Sequence, residues 1–560
     1  MFQQKRPLLR LALMIGLASW PTCERARAQG TPANRNAGVD AGFKISGTIV
    51  SALDGAPLGK ARVSLVDTAN PANAAWIITS ENGRFSFESI PAGKYALEGE
   101  RRGFLSANYE QHEQFSTAIV TGAGLNTENL VLRLTPMARL GGRVIDESGD
   151  PVRNARVSLW MEDHRGGLSR IARAGMESTD DQGTYEFAAL GPGNYFVSVA
   201  ARPWYAVHPT SAVPEGASHS SSGVPRGLDV AYPTTFFNGA TDAESATPIH
   251  VAGGDRVQAD LHLSPVASLH FLVHVPAEGQ QGVAYGFPAF QKRVFDSVEF
   301  ANVETAQVSP GVYELTGVPA GKYTMQLHGG NTGRPRQSGD VDIQKDGQEV
   351  DTSASEPAAS VKFSVKMPRN QSLPKEMFLA LRDARQRILA NTQVDAAGQG
   401  LFEDVGAGTY TIIVGADSKR YSIVRMDSQG GPISGHELHV TAGASEELTV
   451  YLAEGVVNVY GFAKRGGKPL AGIMIALIPK DPESHLDMFR RDQSDSDGSF
   501  VLPEVIPGSY TLVAVEDAWG FPWLQPGALA RYVKHGQDLT IGEAMKGSVH
   551  LPEPVEVQPR

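Results

Sequence analysis

Cysteine is nearly missing from this sequence, because Cys23 is the single cysteine among 560 residues. It lies inside a segment, residues 1–28, that we expect to be removed on export. The remaining chain then has no thiol, so it forms no disulfide, and cysteine serves neither as a nucleophile nor as a metal ligand. The apolar run at residues 11–18 is far shorter than the roughly 20 residues of a membrane-spanning helix, so no transmembrane segment is predicted.

Motifs of the common catalytic sites are missing as well. His112-Glu113 and His436-Glu437 are not followed by a second histidine at the His-Glu-x-x-His spacing of zinc peptidases. The serine hydrolase motif Gly-x-Ser-x-Gly and the phosphate-binding motif Gly-x-x-x-x-Gly-Lys-Ser/Thr are also absent. The sequence therefore predicts a protein that is not an enzyme, with no catalytic residue, no cofactor and no metal ligand.

Positive charge is in deficit, with 50 Lys and Arg against 61 Asp and Glu and a formal net charge of −11. Residues 1–28 hold five of the basic and one of the acidic side chains, so the rest of the chain has 45 and 60, a charge of −15. Such a chain is a poor partner for nucleic acid. The 60 glycines and 35 prolines favour many short strands joined by tight turns, since together they exceed the average share of roughly 12%.

The first 28 residues have the pattern of a secretory signal. Lys5, Arg6 and Arg10 form a basic start, a short apolar run follows, and an Ala-x-Ala cleavage site ends at Ala28. We therefore expect an exported protein that is periplasmic, on the outer surface or extracellular.

One cassette of 15 residues organises the rest of the chain, and its clearest copy is residues 83–97. Phe85 and Phe87 alternate with polar residues, which is the two-residue period of a half-buried strand. Pro91 and Gly93 break the run, and Tyr95 begins a second alternation. The cassette predicts a strand, a short turn and a strand, with its aromatic side chains in the core.

The cassette occurs five times, with a turn glycine ten residues after the first glycine and a tyrosine two residues later. The copies are Gly83, Gly93 and Tyr95; Gly183, Gly193 and Tyr195; Gly311, Gly321 and Tyr323; Gly398, Gly408 and Tyr410; and Gly498, Gly508 and Tyr510. Acidic or amide residues before most first glycines are typical of tight turns. We assign Asp495 and Asp497 to such a turn rather than to calcium, which needs about six oxygen ligands. We expect Gly93, Gly193 and Gly508 to need a backbone conformation that side chains disfavour.

Three copies share an upstream half made of two alternating segments around a Gly-Pro turn, at residues 45–65, 140–159 and 459–477. An alternating tail follows several copies, as at residues 119–134, and we expect it to form a closing hairpin. Together these motifs resemble the carboxypeptidase regulatory-like domain. The resemblance is good over the first, second and fifth copies and partial over the other two. It implies a transthyretin-like β-sandwich of about seven strands that acts as a noncatalytic module.

We therefore predict an all-β protein, a tandem array of about five Ig-like or transthyretin-like β-sandwich domains after a signal peptide. The predicted segments are a signal peptide at 1–28, a flexible leader at 29–42, sandwich 1 at 43–136, sandwich 2 with a long loop insertion at 137–266, a degenerate sandwich 3 at 267–352, a degenerate sandwich 4 at 353–452 and sandwich 5 at 453–560. About one turn glycine per hundred residues fits this domain size. Joints of only a few residues predict a string of sandwiches with limited hinge freedom.

Aromatic residues collect at one loop position, after the cassette, in three repeats. The candidate ligand-binding aromatics are Trp204, Tyr205, Tyr232, Phe236, Phe237, Trp519 and Trp523. Sugars stack their apolar faces on such rings, but aromatic side chains also pack loops against sandwiches. Both interpretations stay open at this point.

The function predicted from these features is that of a noncatalytic exported binding or scaffold protein. Carbohydrate or a cell-surface polymer is the favoured ligand, and a cell-surface protein is the other possible partner. The alternative is a structural spacer or adhesion protein that acts through protein–protein contacts. An exported enzyme with an unrecognised site is the third alternative.

Overall fold

The computed structural model describes residues 42–164, 167, 169–209, 226–275, 288–328, 335–351, 358–368, 371–383, 388–416, 420–429, 431–433, 436–482, 485–520, 522–525 and 527–560. The predicted signal peptide and flexible leader lie outside these residues and stay predictions. Over the described residues the chain is almost entirely β-structure. The predicted fold class, an all-β array of β-sandwiches, is confirmed.

The first sandwich packs a sheet of order β4-β1-β8 on a sheet of order β3-β2-β5, in which β6 and β7 also pair with β5. Its strands are β1 (Phe43–Ser51), β2 (Arg62–Asp67), β3 (Ala74–Ile78), β4 (Arg84–Ile90), β5 (Gly93–Glu100), β6 (Ala107–Asn108), β7 (Ile119–Thr121) and β8 (Leu130–Leu134). Alternate residues of both sheets are buried between them, among them Ile45, Val63 and Leu97. This is the burial pattern that the two-residue period predicts.

The second sandwich packs β12-β9-β17 on β11-β10-β13-β15, with β18 pairing with β9 and β16 with β13, while β14 and β19 form a separate pair. Its strands are β9 (Ala138–Ile145), β10 (Arg156–Asp163), β11 (Arg170–Ser178), β12 (Thr184–Leu190), β13 (Gly193–Ala200), β14 (Val230–Ala231), β15 (Thr235–Phe236), β16 (Ile249–Val251), β17 (Arg256–Gln258), β18 (Leu261–His262) and β19 (Val266–Ala267). Short 3-10 turns occupy Arg226–Leu228, Phe237–Gly239 and Ala243–Ser245.

The third sandwich packs β23-β24-β20-β27 on β22-β21-β25-β26. Its strands are β20 (Leu269–His274), β21 (Ala289–Val294), β22 (Ser297–Phe300), β23 (Glu304–Ser309), β24 (Val312–Val318), β25 (Gly321–His328), β26 (Pro335–Ile343) and β27 (Gln348–Asp351). The two sheets are complete here although the upstream half of this repeat is hard to recognise in the sequence.

The fourth sandwich packs β31-β28-β36-β33-β34 on β30-β29-β32-β35. Its strands are β28 (Ala359–Lys366), β29 (Met377–Arg382), β30 (Ile388–Gln393), β31 (Gln399–Val405), β32 (Gly408–Ala416), β33 (Tyr421–Ser428), β34 (Gly431–Ile433), β35 (Glu437–Val440) and β36 (Ser445–Glu454).

The strands of the fifth sandwich form one continuous network, in which β45 joins β37 to β42. Its strands are β37 (Val457–Arg465), β38 (Lys468–Pro469), β39 (Met474–Pro479), β40 (Arg490–Gln493), β41 (Ser499–Val505), β42 (Gly508–Val515), β43 (Gln537–Ile541), β44 (Gly547–His550) and β45 (Val555–Gln558). A 3-10 turn, Leu486–Met488, precedes β40, and the short helix α1 spans Ala530–Val533.

The predicted cassette is present in all five sandwiches. In each copy the tyrosine ring is buried and its hydroxyl donates to the backbone carbonyl four residues earlier. The oxygen–oxygen distance is 3.1 Å from Tyr95 to Pro91 and 2.6 Å from Tyr510 to Ile506. The tyrosine therefore fills the core with its ring and closes the turn with its hydroxyl.

The expectation for the turn glycines was wrong at Gly93, Gly193 and Gly508, none of which has a φ in the left-handed region. A positive φ occurs at the first glycine of every cassette, for example 70° at Gly83, but at the turn glycine only in the third and fourth copies. A Cβ there would lie 2.6 Å from the carbonyl oxygen of Ile49 in the neighbouring strand. The requirement for glycine therefore lies at the start of the cassette hairpin.

The predicted closing hairpin is also wrong. In the first sandwich β7 pairs antiparallel with β5 in one sheet, while β8 pairs parallel with β1 in the other. The tail thus crosses from one sheet to the other and closes both. An alternating hydrophobic pattern indicates which residues are buried. The pattern is the same whether the two strands of the tail pair with each other or with strands of different sheets.

Candidate functional site

Five of the candidate aromatics lie in the insertion of the second sandwich, and two of these, Tyr205 and Tyr232, contact Glu147. The hydroxyl of Tyr232 donates to Glu147 at 2.8 Å, and that of Tyr205 donates to the other carboxylate oxygen. Partial burial opposes ionisation of Glu147, but the two hydroxyls outweigh it and lower its pKa. Burial and the same carboxylate raise the pKa of Tyr205 to about 12.

Trp204 extends this group to the surface. Its side chain is 86% exposed, and its ring meets that of Tyr205 edge-on with centroids 5.8 Å apart. An exposed indole beside two phenols and an ionised carboxylate offers a stacking face together with hydrogen-bonding groups. We call Trp204, Tyr205, Tyr232 and Glu147 the indole–carboxylate patch.

Phe236 and Phe237, by contrast, are held inside the protein. Phe236 is 1% exposed and packs with Trp160 and Phe196, while Phe237 packs against the core of the second sandwich. Phe295 of the third sandwich completes the first group, with its ring centroid 5.6 Å from that of Phe236. Phe236 therefore helps to join the second and third sandwiches.

Trp519 and Trp523, the candidates of the fifth sandwich, also take part in contacts between sandwiches. Trp519 is 7% exposed and stacks on His112 of the first sandwich, with ring centroids 5.1 Å apart and planes 9° apart. Trp523 is partly buried against the guanidinium of Arg491, 4.2 Å from the ring centroid. Among the described residues no ring contact links these two to the indole–carboxylate patch.

The first and fifth sandwiches are thus in direct contact, and β40 of the fifth and the turn that follows it provide polar groups. The amide nitrogen of Gln493 donates to the Glu110 carbonyl at 2.6 Å and to the Thr117 hydroxyl at 2.8 Å. Its amide oxygen lies 3.1 Å from Nδ1 of His112. The Gln493 side chain therefore fits a specific set of partners in the first sandwich.

A buried ion pair lies beside this glutamine. Arg491 donates to the carboxylate of Glu113 at 2.7 Å, and the two side chains are only 4% and 9% exposed. The guanidinium also lies between the rings of Phe115 and Trp523. Replacing either partner of a buried ion pair leaves the other charge buried without compensation, so this contact needs both side chains.

The cassette turn of the fifth sandwich forms the second half of the interface. One oxygen of Asp495 accepts from the ammonium of Lys94 at 2.5 Å, and the other accepts from the backbone N–H of Ala118 at 3.0 Å. The backbone N–H of Ser496 donates to the Ala118 carbonyl at 3.0 Å. Burial raises the pKa of Asp495, although Lys94 opposes the shift. The Asp495 carboxylate of this turn therefore serves the contact between sandwiches.

The sequence places aromatic residues in equivalent loops of the first and fifth repeats, but it does not predict that these two loops contact each other. Arg491 and Gln493 appear in the sequence as ordinary polar residues on a strand. Their one signal is that all four residues of β40 are polar, so the strand has no hydrophobic alternation.

Two other features of the described residues bear on function. A His-x-x-Glu spacing occurs at His550 and Glu553, but His550 stacks on Tyr460 with ring centroids 4.9 Å apart, and Glu553 is exposed. His550 ends β44, and Glu553 lies in the bend before β45. Among the described residues, no helix is both long enough and apolar enough to cross a membrane.

Comparison with protein families supports the resemblance drawn from the sequence. Residues 44–130 match the family model of the carboxypeptidase regulatory-like domain, which covers the first repeat. No curated protein matches the chain.

Several solved structures resemble large parts of the chain. The Bacillus anthracis TIE protein is 11% identical over 75% of this chain and 76% of its own, with a TM-score of 0.16. The Streptococcal ancillary pilin is 10% identical over 52% of this chain and 100% of its own, with a TM-score of 0.19. BcpA, the major pilin subunit of Bacillus cereus, is 10% identical over 73% of this chain and 98% of its own, with a TM-score of 0.15. Scores this low do not establish a common arrangement, so we take no function from these proteins.

Proposed function

We propose that this chain is a noncatalytic exported scaffold whose five β-sandwiches are held in a fixed arrangement by contacts between them. The observation that supports this proposal best is the seating of the first sandwich on the fifth. Hydrogen bonds, a buried ion pair and stacked rings all contribute to that one interface. A spacer that merely extends a chain has no need for such a contact between its first and last domains.

Contacts between consecutive sandwiches support the same function. Glu299 of the third sandwich accepts hydrogen bonds from Ser158 and Arg173 of the second, at 2.9 Å and 2.7 Å. Arg420 of the fourth sandwich lies 3.3 Å from Glu504 of the fifth. Partners that bind such a scaffold meet surfaces whose spacing is set in advance, which lowers the entropic cost of association.

Small-angle X-ray scattering of residues 29–560 tests this proposal. The wild type should scatter as one compact particle with the computed radius of gyration of the closed arrangement. The double variant Arg491→Ala with Gln493→Ala removes the main partners of the first sandwich and should increase the radius. A double variant at exposed positions of the same sandwich, Lys468→Ala with Glu553→Ala, is the control. A flexible wild-type profile that the interface variant leaves unchanged would contradict the scaffold.

Carbohydrate binding is the second candidate function, and the indole–carboxylate patch is the observation that favours it. Trp204 presents a free ring, and Glu147 is an acceptor held in place by two phenols. Phe236 and Trp519 have their ring faces covered, so a sugar site on this chain rests on Trp204 and Tyr205. A polysaccharide partner would then be bound at the second sandwich.

Retention on immobilised high-mass polysaccharides tests this second function. Trp204→Ala should abolish retention and leave the circular dichroism spectrum unchanged, because the ring contributes little to packing. Trp76→Ala in β3 is the matched control, since Trp76 is another exposed indole, 65% accessible, on the first sandwich. Equal retention of both variants, or no retention of the wild type on any glycan, would exclude a sugar site at Trp204.

A further inference from the structure

Two histidines and an aspartate meet where the fourth sandwich contacts the fifth. His436 lies directly before β35 of the fourth sandwich. Asp487 lies in the 3-10 turn that precedes β40 of the fifth sandwich, and His485 lies directly before that turn. One donor atom from each of the three residues lies within 4.8 Å of the other two. The histidine rings meet edge-on, with centroids 5.3 Å apart.

The hydrogen bonding of His436 fixes which ring nitrogen faces this cluster. Nε2 lies 2.6 Å from the carbonyl oxygen of Ile423. A carbonyl only accepts, so Nε2 carries the hydrogen and, in the neutral ring, Nδ1 presents a lone pair. That Nδ1 lies 3.6 Å from Oδ1 of Asp487. A histidine that donates one N–H to a backbone carbonyl and presents the other nitrogen is oriented as metal-binding histidines usually are.

Asp487 is oriented in the same way. Its Oδ2 accepts from the hydroxyl of Ser422 and from the backbone N–H of Ile423, the latter at 3.2 Å. Its Oδ1 and the Nδ1 of His485 are buried atoms that have no hydrogen-bond partner among the described residues. Buried polar atoms without partners are rare in folded proteins and call for a specific cause.

A cation between these atoms would supply that cause. The cluster offers the lone pair on Nδ1 of His436 together with the unpartnered Nδ1 of His485 and Oδ1 of Asp487. A metal ion accepts lone pairs from all three residues at once.

We propose that His436, His485 and Asp487 bind a divalent transition-metal ion of the zinc type, which fastens the fourth sandwich to the fifth. Imidazole nitrogens and a carboxylate oxygen suit zinc, whose ligands lie about 2.0–2.2 Å away. Ligand atoms around such an ion are roughly 3.3 Å apart. The donor atoms here lie within 4.8 Å of one another, so no pair needs to close by more than about 1.5 Å, within reach of side-chain rotation. The proposal is independent of the function proposed above.

Titration of untagged residues 29–560 with Zn²⁺ in a calorimeter tests the site, and Co²⁺ absorption reports the geometry of its ligands. One equivalent of Zn²⁺ should bind with a dissociation constant in the micromolar range or lower. His485→Gln and Asp487→Asn should each weaken binding at least tenfold. The control is His439→Gln, because His439 is exposed on β35 only three residues from His436. Circular dichroism without metal verifies that each variant is folded.

Arg382 provides a variant that moves affinity in the opposite direction. Its guanidinium lies near the cluster, and burial lowers its pKa while Asp487 raises it. Arg382→Met removes a positive charge that repels the ion, so Zn²⁺ should bind at least threefold more tightly. Absence of Zn²⁺ binding by the wild type, or binding that none of the three variants alters, would overturn the proposal.

Discussion

The ammonium of Lys94 lies 2.5 Å from a carboxylate oxygen of Asp495, a residue 401 positions later in the chain. Both residues belong to cassettes, since Lys94 follows the turn glycine of the first copy and Asp495 lies in the turn before the first glycine of the fifth. The hydroxyl of Ser499 joins the pair, 2.8 Å from the ammonium. One cassette therefore binds the turn of another, and the repeat motif itself closes the array.

Lys94→Met should weaken this closure. The substitution keeps the length of the side chain but leaves the carboxylate of Asp495 without its ion partner in a largely buried position. We expect a loss of about 1–3 kcal/mol in the free energy of unfolding, measured by urea denaturation. Lys60→Met is the control, because Lys60 pairs with Glu81 at the exposed surface, where a salt bridge contributes little. Equal effects of the two variants would show that Lys94 is not a structural contact.

Asp492 should give the stability of the fifth sandwich a pH dependence. Burial raises its pKa to about 6, although hydrogen bonds from the Val501 and Gln493 backbone oppose the shift. A carboxyl group whose folded pKa exceeds its unfolded value stabilises the fold at low pH, and this contribution is lost as pH rises through about 6. Asp492→Asn should therefore gain stability over the wild type between pH 4 and 6, by on the order of 2–3 kcal/mol at pH 7.

Urea denaturation at pH 4, 5, 6 and 7 measures this difference directly. Asp181→Asn, which alters an exposed carboxylate in the cassette turn of the second repeat, is the comparison and should show only a small effect. A constant difference between Asp492→Asn and the wild type across this range would show that Asp492 does not titrate there.

Gly83→Ala should destabilise the first sandwich by more than about 1 kcal/mol, because alanine disfavours the positive φ and its Cβ meets the Ile49 carbonyl. Gly55→Ala is a matched variant, since Gly55 has a φ of 72° but open space around the position of a Cβ. Thermal melts of the two variants separate backbone strain from steric conflict. If Gly55→Ala lowers the melting temperature as much as Gly83→Ala, the approach of the Cβ to the Ile49 carbonyl does not contribute to the destabilisation.

Trp519→Ala should cost about 3–5 kcal/mol, as expected for loss of a buried tryptophan. The indole packs in the fifth sandwich and against His112 and Phe115 of the first. Trp204→Ala should change stability by less than about 0.5 kcal/mol, because that ring is exposed. Urea denaturation followed by circular dichroism compares the two. A small effect at Trp519 would mean that its packing is dispensable.

The sequence was sufficient to predict the sandwiches because their determinants are local. In the first cassette Phe85 and Phe87 alternate with polar residues, the turn glycine follows the first glycine by ten residues, and a tyrosine comes two residues later. All of these signals lie within about 15 residues. The strands of the degenerate third and fourth repeats also formed as two-sheet units. The boundaries proposed between the five domains stay predictions.

The contact between the first and fifth sandwiches could not be predicted in this way. Gln493 and Glu110 are far apart in the sequence, and neither belongs to a repeated pattern. An aromatic loop such as that of Trp519 can bind a ligand or another sandwich, and which of the two it does depends on its neighbours in the folded protein. The burial of Phe236 depends likewise on the third sandwich, whose Phe295 packs against it.

A disulfide cross-link between the first and fifth sandwiches tests the central claim most directly. Residues 29–560 contain no cysteine, so Ala118→Cys with Ser496→Cys introduces a single pair at positions joined by a backbone hydrogen bond. Such neighbours lie within the range of a disulfide, whose Cα atoms are about 4.4–6.8 Å apart. Mild oxidation should convert the monomer to a cross-linked monomer that migrates faster on a non-reducing gel. The control pair Ala118→Cys with Ser548→Cys should stay reduced. Oxidation of the first pair no faster than the control, or only into dimers, would contradict the closed arrangement.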